Sequence, residues 1–238
     1  KPMKKKNLVV FSGAGMSAES GLSTFRDSGG LWEKYRIEDV ATPAAWLNNR
    51  EKVLEFYNMR YKQLSGVEPN EAHRLVAEME SEFNISVVTQ NVDNLHERAG
   101  SSTVLHLHGE LSKCRSERNL DFVADMPPSG LKVGMTCPQG FQLRPNVVWF
   151  GEEVPNMIPA AQEIMNCDAL MVIGTSLNVY PAASLAYSAP DGSLTVLVDP
   201  GHFDSNTLSN LEHIKKPATT GIEQAFSIVR SFFRRTGN

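Results

Sequence analysis

The sequence predicts an α/β protein in which a Rossmann-like, doubly wound parallel sheet carries a small loop-rich and helical second module. Short runs rich in Val, Ile and Leu recur along the chain, and segments with helical spacing separate them. The runs are nearly continuous in apolar residues, as expected for parallel strands covered on both faces. A glycine-rich turn follows the first run, at the position where such folds bind nucleotides.

Six apolar runs are predicted strands: Leu8–Phe11, Ile85–Thr89, Thr103–His106, Val147–Phe150, Ala169–Gly174 and Leu194–Asp199. Between them, helical patterns occupy Pro43–Leu64 and Asn70–Phe83. A C-terminal helix is predicted to open at Gly221, with apolar residues at steps of three and four and two arginines in its last turn. This alternation of strands and helices is typical of a doubly wound sheet.

Two stretches break the alternation. The gap between the first two strands is too long for one crossover helix, and the stretch from Cys114 to Arg144 is rich in Pro and Gly. We therefore predict a single domain over residues 1–238, whose parts have approximate bounds. The large part takes 3–35, 84–112 and 145–238, and the small module takes 36–83 (helical) and 113–144.

The composition excludes several classes of protein. Hydrophobic residues make up 41% and charged residues 21%, as in folded globular chains and unlike disordered ones. A net charge of −4 gives no basic field for nucleic acid, and no apolar run could span a bilayer. Three cysteines suit a reducing compartment, and the apolar stretch after Lys4-Lys5-Lys6 is too short for a secretory leader. We expect a cytoplasmic monomer without nucleic-acid or membrane partners.

The turn after the first strand, Ser12-Gly13-Ala14-Gly15-Met16-Ser17-Ala18, fits the G-x-G-x-x-A form of a dinucleotide-binding loop. Glycine lets the backbone approach a pyrophosphate, and the following helix offers free N–H groups to the anion. A dehydrogenase of this fold carries an acidic residue about 20 positions later, at the end of a second strand. Residues 36–45 contain no predicted strand, so the motif favours nucleotide binding over an ordinary dehydrogenase; a turn without function is the alternative.

Polar side chains follow the strand that ends at Thr89. Gln90, Asn91 and Asp93 stand at the carboxyl end of that strand, where α/β proteins place ligand sites. The alternative is that Asn91 and Asp93 only cap a helix that begins near Val92.

His108 stands just beyond another strand, at a strand-to-loop edge where functional side chains gather. An ordinary histidine pKa near 6.5 lets the ring accept a proton at neutral pH. A single histidine is more often structural, and His106, on the same side of the strand, is expected to pack or to form hydrogen bonds.

Several ordered blocks of the sequence together resemble the sirtuins, the NAD-consuming protein-lysine deacylases. The blocks are Gly13-Ala14-Gly15-Met16-Ser17-Ala18-Glu19-Ser20-Gly21, Thr24-Phe25-Arg26-Asp27, Thr89-Gln90-Asn91-Val92-Asp93-Asn94-Leu95-His96, His108-Gly109-Glu110, Val148-Trp149-Phe150-Gly151-Glu152 and Gly174-Thr175-Ser176. The resemblance implies a Rossmann-type large domain and a small module, with NAD and acyl-lysine meeting between them.

The resemblance also implies roles for individual residues. His108 and Asn91 would be catalytic. NAD would contact Gly13, Ala14, Gly15, Ala18, Phe25, Arg26, Gln90, Asn91, Asp93, Gly174, Thr175, Ser176, Asn178, Asp199 and Ile222. The acylated substrate would contact Ala41, Tyr57, Arg60, Val148, Phe150, Gly151 and Glu152, with Val148 to Glu152 forming a β-like edge along the peptide.

The chemistry that the resemblance implies begins with attack of the acyl carbonyl oxygen on C1′ of the nicotinamide ribose. Nicotinamide leaves, and an alkylimidate joins the peptide to ADP-ribose. His108 then helps the ribose 2′-hydroxyl attack that intermediate, and water releases free lysine and O-acyl-ADP-ribose. A dry pocket with fixed dipoles favours the cationic character of the ribose.

Tyr57 and Arg60 stand three positions apart in a predicted helix and therefore share one face. They are interpreted either as a half-buried aromatic and a solvated arginine or, with Ala41, as the signature of sirtuins that remove malonyl and succinyl groups. A guanidinium and a phenol can grip a carboxylate at the end of a short acyl chain.

The family usually holds a structural zinc ion with two C-x-x-C pairs. This chain offers only Cys114 and Cys137 in the module, with Glu117 and Gly140 three residues after each. Cys167 is interpreted as a small buried hydrophobic residue. Two thiolates and one carboxylate make a poor tetrahedral site, so we expect no zinc.

Two other functions stay open at this point. One is a module that binds nucleotide or acyl-lysine without turnover, although pure binding would not need Asn91, Asp93 and His108 together. The other is an NAD-dependent ADP-ribosyltransferase, which would use the same C1′ electrophile with a different acceptor.

Overall fold

A computed structural model describes residues 4–24, 31–177, 180, 182–204 and 208–236. Phe25, Arg26 and Asn178 of the predicted site lie outside these ranges. The strands are Asn7–Ser12 (β1), Asn84–Thr89 (β2), Val104–His106 (β3), Gly109–Ser116 (β4), Val123–Asp125 (β5), Leu143–Val147 (β6), Ala169–Ile173 (β7), Leu194–Val198 (β8) and Leu211–Ile214 (β9). The α-helices are Gly15–Ala18 (α1), Leu31–Lys34 (α2), Ile37–Val40 (α3), Pro43–Asn48 (α4), Arg50–Ser65 (α5), Glu71–Glu78 (α6), Leu95–Ala99 (α7), Met157–Met165 (α8) and Ala218–Thr236 (α9). Met79–Ser81 and Ala182–Ser188 form 3₁₀ turns.

A six-stranded parallel sheet has the order β3-β2-β1-β7-β8-β9. This order confirms the predicted doubly wound sheet. The chain runs outward from β1 to β3 on one side and from β7 to β9 on the other, so the direction of winding reverses between β1 and β7. Such a reversal opens a crevice at the carboxyl ends of the strands, where α/β folds bind ligands.

Both faces of this sheet are covered, which explains the uninterrupted apolar runs of its strands. In β1, Leu8 and Val10 belong to the core with α6 and α9, whereas Val9 and Phe11 belong to the core with α8 and Ala182–Ser188. Strands β7 and β8 alternate between the same two cores. Hydrophobic burial on both faces therefore fixes the four inner strands, and the short strands β3 and β9 form the two edges.

A three-stranded antiparallel sheet, in the order β5-β4-β6, forms the second module with α3, α4 and α5. The sequence predicted helices for 36–83 but only a loop-rich stretch for 113–144, where most of the small sheet lies. The prediction of a core strand at Val147–Phe150 is wrong, because β6 ends at Val147 and pairs with β4 in the small sheet. Buried Trp149 packs in the small module, which accounts for the apolar character of that run.

Two helices differ from the prediction. The small module was expected to include 70–83, yet α6 and the turn after it pack on the large sheet through Val76, Met79 and Phe83. The C-terminal helix opens at Ala218 rather than at Gly221. Gly221 lies inside α9 because a Cβ there would stand 2.5 Å from a methyl group of Val198, so the missing side chain lets the helix approach β8.

Within the described ranges, no helix combines the length and the apolar composition that a membrane crossing requires.

The cysteines of the small module have few ligand-type neighbours among the described residues. Cys114 and Cys137 are buried and unoxidised, and in the described part of the chain they belong to no group of three or more ligand-type side chains. Glu117 is already bound by Arg50 at 2.7 Å and by the indole N–H of Trp46 at 3.1 Å. The donor set therefore does not fit the four-ligand zinc of the family.

The absence of structural zinc stays a prediction that metal analysis can test. Purified protein, expressed in zinc-supplemented medium, is expected to contain well under one zinc per chain. A chelator should leave the thermal midpoint unchanged, because packing rather than metal holds the module. One tightly bound zinc per chain would contradict this expectation.

The loops after β1 and β7 approach so closely that a side chain has no room between them. Gly174 has a φ of 67°, and a Cβ on it would lie 2.2 Å from the Met16 backbone nitrogen. Gly192 also has a positive φ, 80°, but a Cβ there would meet nothing within 4 Å. The two positions therefore separate backbone strain from steric conflict.

We expect Gly192→Ala to cost about 1–3 kcal/mol through backbone strain alone. Gly174→Ala should cost a further 1–3 kcal/mol, roughly, because the loops must move apart to admit a methyl group. Denaturant unfolding of both variants measures the difference. Equal losses of stability would show that the contact between the loops carries no special constraint.

Candidate active site

Three loops meet at the carboxyl edge of the large sheet. They follow β1, β2 and β7, and backbone hydrogen bonds join them directly. Gly13 N–H donates to Ile173 O at 2.9 Å, Gly15 N–H to Gly174 O at 2.8 Å, and Gln90 N–H to Ser12 O at 2.9 Å. The structure thus brings the glycine loop, the Gln90–Asp93 loop and the Gly174–Ser176 loop together at the reversal of the sheet.

The glycines serve this meeting of loops. A Cβ on Gly13 would lie 2.5 Å from Thr175 Cβ, and one on Gly15 would lie 2.7 Å from Gly174 Cα. The helix expected to offer its N-terminus to a phosphate is only one turn, α1. The glycines therefore act here mainly by letting the two loops pack closely.

The loop after β2 is tied to the glycine loop by Asn91. Its side-chain amide donates to Gly13 O at 2.9 Å and lies 3.4 Å from Ser17 Oγ. Its backbone N–H donates to Thr89 Oγ1 at 3.0 Å. The interpretation of Asn91 as a helix cap is wrong, since α7 begins only at Leu95 and Asn91 bonds elsewhere.

Asp93 and Gln90 are polar residues of the loop after β2, and they differ in how fully the protein uses their side-chain atoms. One oxygen of Asp93 accepts the Leu95 N–H at 3.0 Å, a cap-like contact, and burial raises the pKa of this carboxyl. The buried side-chain nitrogen of Gln90 has no hydrogen-bond partner among the described residues. An unpaired buried amide costs free energy, so the Gln90 side chain fits a ligand that carries polar atoms of its own.

A layer of buried polar side chains lies beneath these loops, and the sequence did not reveal it. Ser12 donates to Thr89 at 2.8 Å and lies 2.9 Å from His96 Nε2. His73 accepts the Asn70 N–H at Nδ1, so its Nε2 carries the proton and lies 3.3 Å from Ser17 Oγ.

Burial lowers the pKa of His73 to about 4 and that of His96 well below its usual value, so both rings are neutral. Ser17 stands inside the glycine motif and His96 inside the Thr89–His96 block, whereas His73 lies in an ordinary helix with no signal.

His108 lies beside this layer, half-buried at the start of the link between β3 and β4. Its Nδ1 lies 3.0 Å from Gln90 O, and because a carbonyl can only accept, Nδ1 carries the proton. Burial lowers the pKa of the ring and so favours the neutral form, in which Nε2 is unprotonated. These features suit a general base at neutral pH.

The predicted peptide edge begins where the backbone of His108 binds Val148, whose N–H donates to His108 O at 2.8 Å. Phe150 is 46% exposed and donates its N–H to Ala41 O at 3.0 Å. Gly151 follows, exposed, with a φ of 92°. The segment is a loop rather than a strand, but it joins His108 to Ala41 across the two modules.

Glu152 has a structural role in this loop. Its carboxylate accepts two bonds from Arg144, both at 2.9 Å, and one from Trp149 N–H at 2.8 Å. Burial alone would raise the pKa of Glu152, but the bonds and charge of Arg144 outweigh burial and lower it. The carboxylate is thus already occupied by protein groups, so the expected direct contact with substrate gives way to support of the loop.

Tyr57 and Arg60 lie together on α5, as predicted, in an aromatic pocket. The Arg60 guanidinium lies 5.3 Å from the ring centre of Trp32 and 5.7 Å from those of Phe56 and Tyr57. Burial lowers the pKa of Arg60 and raises that of Tyr57. Among the residues that the structure describes, no carboxylate forms an ion pair with Arg60.

The remaining predicted ligand residues fall into three groups. Thr175 and Asp199 accept backbone N–H groups of their own loops, from Leu177 at 3.0 Å and from Gly201 at 2.7 Å. Ile222, in contrast, is 1% exposed within the core below the sheet edge, so its side chain does not reach a ligand. The half-buried members Ala14, Ala18 and Ser176 border the same loops.

Comparison with known proteins agrees with this geometry. A model described as the Sir2 family matches residues 13–181. The chain is 50% identical over 224 residues to an NAD-dependent protein deacylase of Bacteroides thetaiotaomicron, covering 92% of this chain and 96% of that protein. It is 48% identical over 218 residues to one of Helicobacter pylori, covering 92% and 93%.

A solved structure of a Sir2 homologue in complex with NAD superposes with a TM-score of 0.84 at 36% identity, covering 96% of this chain and 91% of that one. The agreement extends over sequence, topology and the loops at the sheet edge. The chain belongs to the Sir2 family.

Proposed function

We propose that the chain is an NAD-dependent protein-lysine deacylase that moves an acyl group from lysine to the ADP-ribose part of NAD and releases nicotinamide. The observation that carries this proposal is the placement of His108, whose ring is held by the carbonyl of Gln90, the residue before Asn91 in the loop that meets the glycine loop. The names of the relatives support it.

The side chains divide the chemistry between them. NAD supplies an electrophilic ribose carbon. Asn91, Asp93 and Gln90 offer amide and carboxylate groups that match a carboxamide, and the buried layer beneath them keeps water away. His108 accepts the proton of a ribose hydroxyl at Nε2, while its bond to Gln90 O holds the required tautomer.

The direct test is mass spectrometry of an acyl-lysine peptide panel incubated with and without NAD. We expect nicotinamide, free lysine peptide and O-acyl-ADP-ribose only when the acyl peptide and NAD are both present. Absorbance of reduced nicotinamide would indicate a redox enzyme instead. A peptide that gains the mass of ADP-ribose without losing an acyl group would indicate a transferase.

His108→Ala removes the proposed base and should lower turnover by about 10²–10⁴-fold. Because the ring is only half-buried, the fold should survive, as circular dichroism and NAD binding can show. His202→Ala, at an exposed histidine, serves as the matched control. Wild-type turnover in His108→Ala would remove His108 from the mechanism.

For the acyl group, we propose that Arg60 and Tyr57 bind the terminal carboxylate of succinyl and malonyl chains. The guanidinium lies among rings and lacks an ion pair among the described residues, so an arriving carboxylate would supply its counter-charge. Such pairing in a partly desolvated pocket is a charge-assisted hydrogen bond. Ala41, small and buried, leaves space for the longer chain.

Arg60→Met should therefore reduce desuccinylation by roughly 10–150-fold, the equivalent of one charge-assisted bond, and change deacetylation much less. Lys62→Met, an exposed position on the same helix, should alter neither reaction. The measurement is kcat/KM on succinyl and acetyl forms of one peptide. Equal losses of kcat/KM for both peptides would show that Arg60 does not bind the carboxylate of the succinyl group.

A cytoplasmic location, a monomeric state and the lack of nucleic-acid partners stay predictions of the sequence.

A further inference from the structure

His106 lies at the end of β3, two residues before the proposed base, and the mechanism above does not use it. Its side chain is 8% exposed, and its two ring nitrogens bridge different elements. Nδ1 lies 2.9 Å from the backbone oxygen of Asn91, and Nε2 lies 2.6 Å from a carboxylate oxygen of Glu97 on α7.

The two partners determine the protonation of the ring. A backbone carbonyl can only accept a hydrogen bond, and so can an ionised carboxylate. Both nitrogens of His106 must therefore donate, which makes the ring an imidazolium. The carboxylate of Glu110, 4.0 Å from Nε2, adds a second negative charge beside it.

The position of this cation matters because it binds the loop after β2. Asn91 begins the loop after β2, and Glu97 lies on the helix that follows the loop. One ring on β3 thus joins both ends of the segment that carries Asn91 and Asp93. The other polar contacts of Asn91, to Gly13 and Thr89, fix its side chain and its N–H, so His106 fixes the peptide group that leads on to Asp93.

We propose that His106 is a positioning residue, which together with Glu97 holds the Asn91 carbonyl and thereby sets the geometry of the loop that receives the nicotinamide group. This inference rests on the proposed function. It assigns His106 no contact with substrate.

The arrangement has a consequence for pH. The charged and titratable groups that face His106 are Glu97, Glu110, Asp93 and His96. Burial alone would lower the pKa of His106, but the hydrogen bond and charge of Glu97 outweigh it and raise the pKa. As pH rises through this raised pKa, the ring loses one proton and can then donate to only one of its two partners.

Two substitutions separate the two bonds. The side-chain amide of His106→Asn reaches about as far as Nδ1, so it can still donate to Asn91 O but cannot reach Glu97. The amide of His106→Gln reaches about as far as Nε2, so it can bind Glu97 but leaves the Asn91 carbonyl without its donor. Glu97→Gln keeps an acceptor and removes the charge, and Glu78→Gln, exposed on α6, is the control.

We expect His106→Gln to raise KM for NAD and the inhibition constant of nicotinamide by about 2–10-fold, the size of one ordinary hydrogen bond, because the bond that is lost acts on NAD only through the loop. His106→Asn should stay closer to the wild type in both constants. Neither constant depends on the fraction of protein that is folded. In Glu97→Gln the alkaline limb of kcat/KM should move to lower pH.

Nitrogen NMR of labelled histidine gives a readout without NAD. It should show one ring with both nitrogens protonated at neutral pH, and that signal should vanish in His106→Gln. A neutral His106 ring, unchanged constants in His106→Gln, or equal changes in both His106 variants would overturn the inference. If the wild type releases no nicotinamide from NAD and acyl peptide, the proposed function fails instead.

Discussion

The contact between the backbones of Gly15 and Gly174 is the constraint on which the rest of the site depends. It exists because β1 and β7 are neighbours at the reversal of the sheet and their loops leave the same edge. Neither loop can carry a side chain at the point of contact. With the two loops in register, Gly13 presents its carbonyl to Asn91, and the third loop is drawn in. The topology of the sheet thus places the polar groups, and side-chain chemistry follows from that placement.

Four histidines near this edge show how burial and partners set different states of the same ring. Burial outweighs the charges near His73 and His96, and their lowered pKa values keep them neutral. Burial also lowers the pKa of His108, one nitrogen of which donates to a carbonyl while the other is the proposed base. His106 lies two residues away, but the carboxylate of Glu97 holds it charged. A base and a fixed cation can therefore coexist within one strand end.

The large sheet could be predicted from sequence because parallel strands buried on both faces leave continuous apolar runs. The small antiparallel sheet could not, since β4 mixes polar and apolar residues and pairs through register that local patterns do not encode. Val147–Phe150 misled the prediction because Trp149 is buried in the small module rather than in the sheet. The sequence motifs were enough to propose His108 and Asn91 as site residues. The hydrogen bonds between Arg144 and Glu152 and between His73 and Ser17 join residues that only the three-dimensional fold brings together.

The central claim is that the converging loops activate NAD and that His108 acts only afterwards, on a ribose hydroxyl. Exchange of labelled nicotinamide into NAD, measured with acyl peptide and His108→Ala, tests this division most directly. The account predicts that exchange continues in the variant while formation of deacylated peptide nearly ceases, because loss of nicotinamide does not need the base. Loss of exchange together with deacylation, in a variant that still binds NAD, would contradict it.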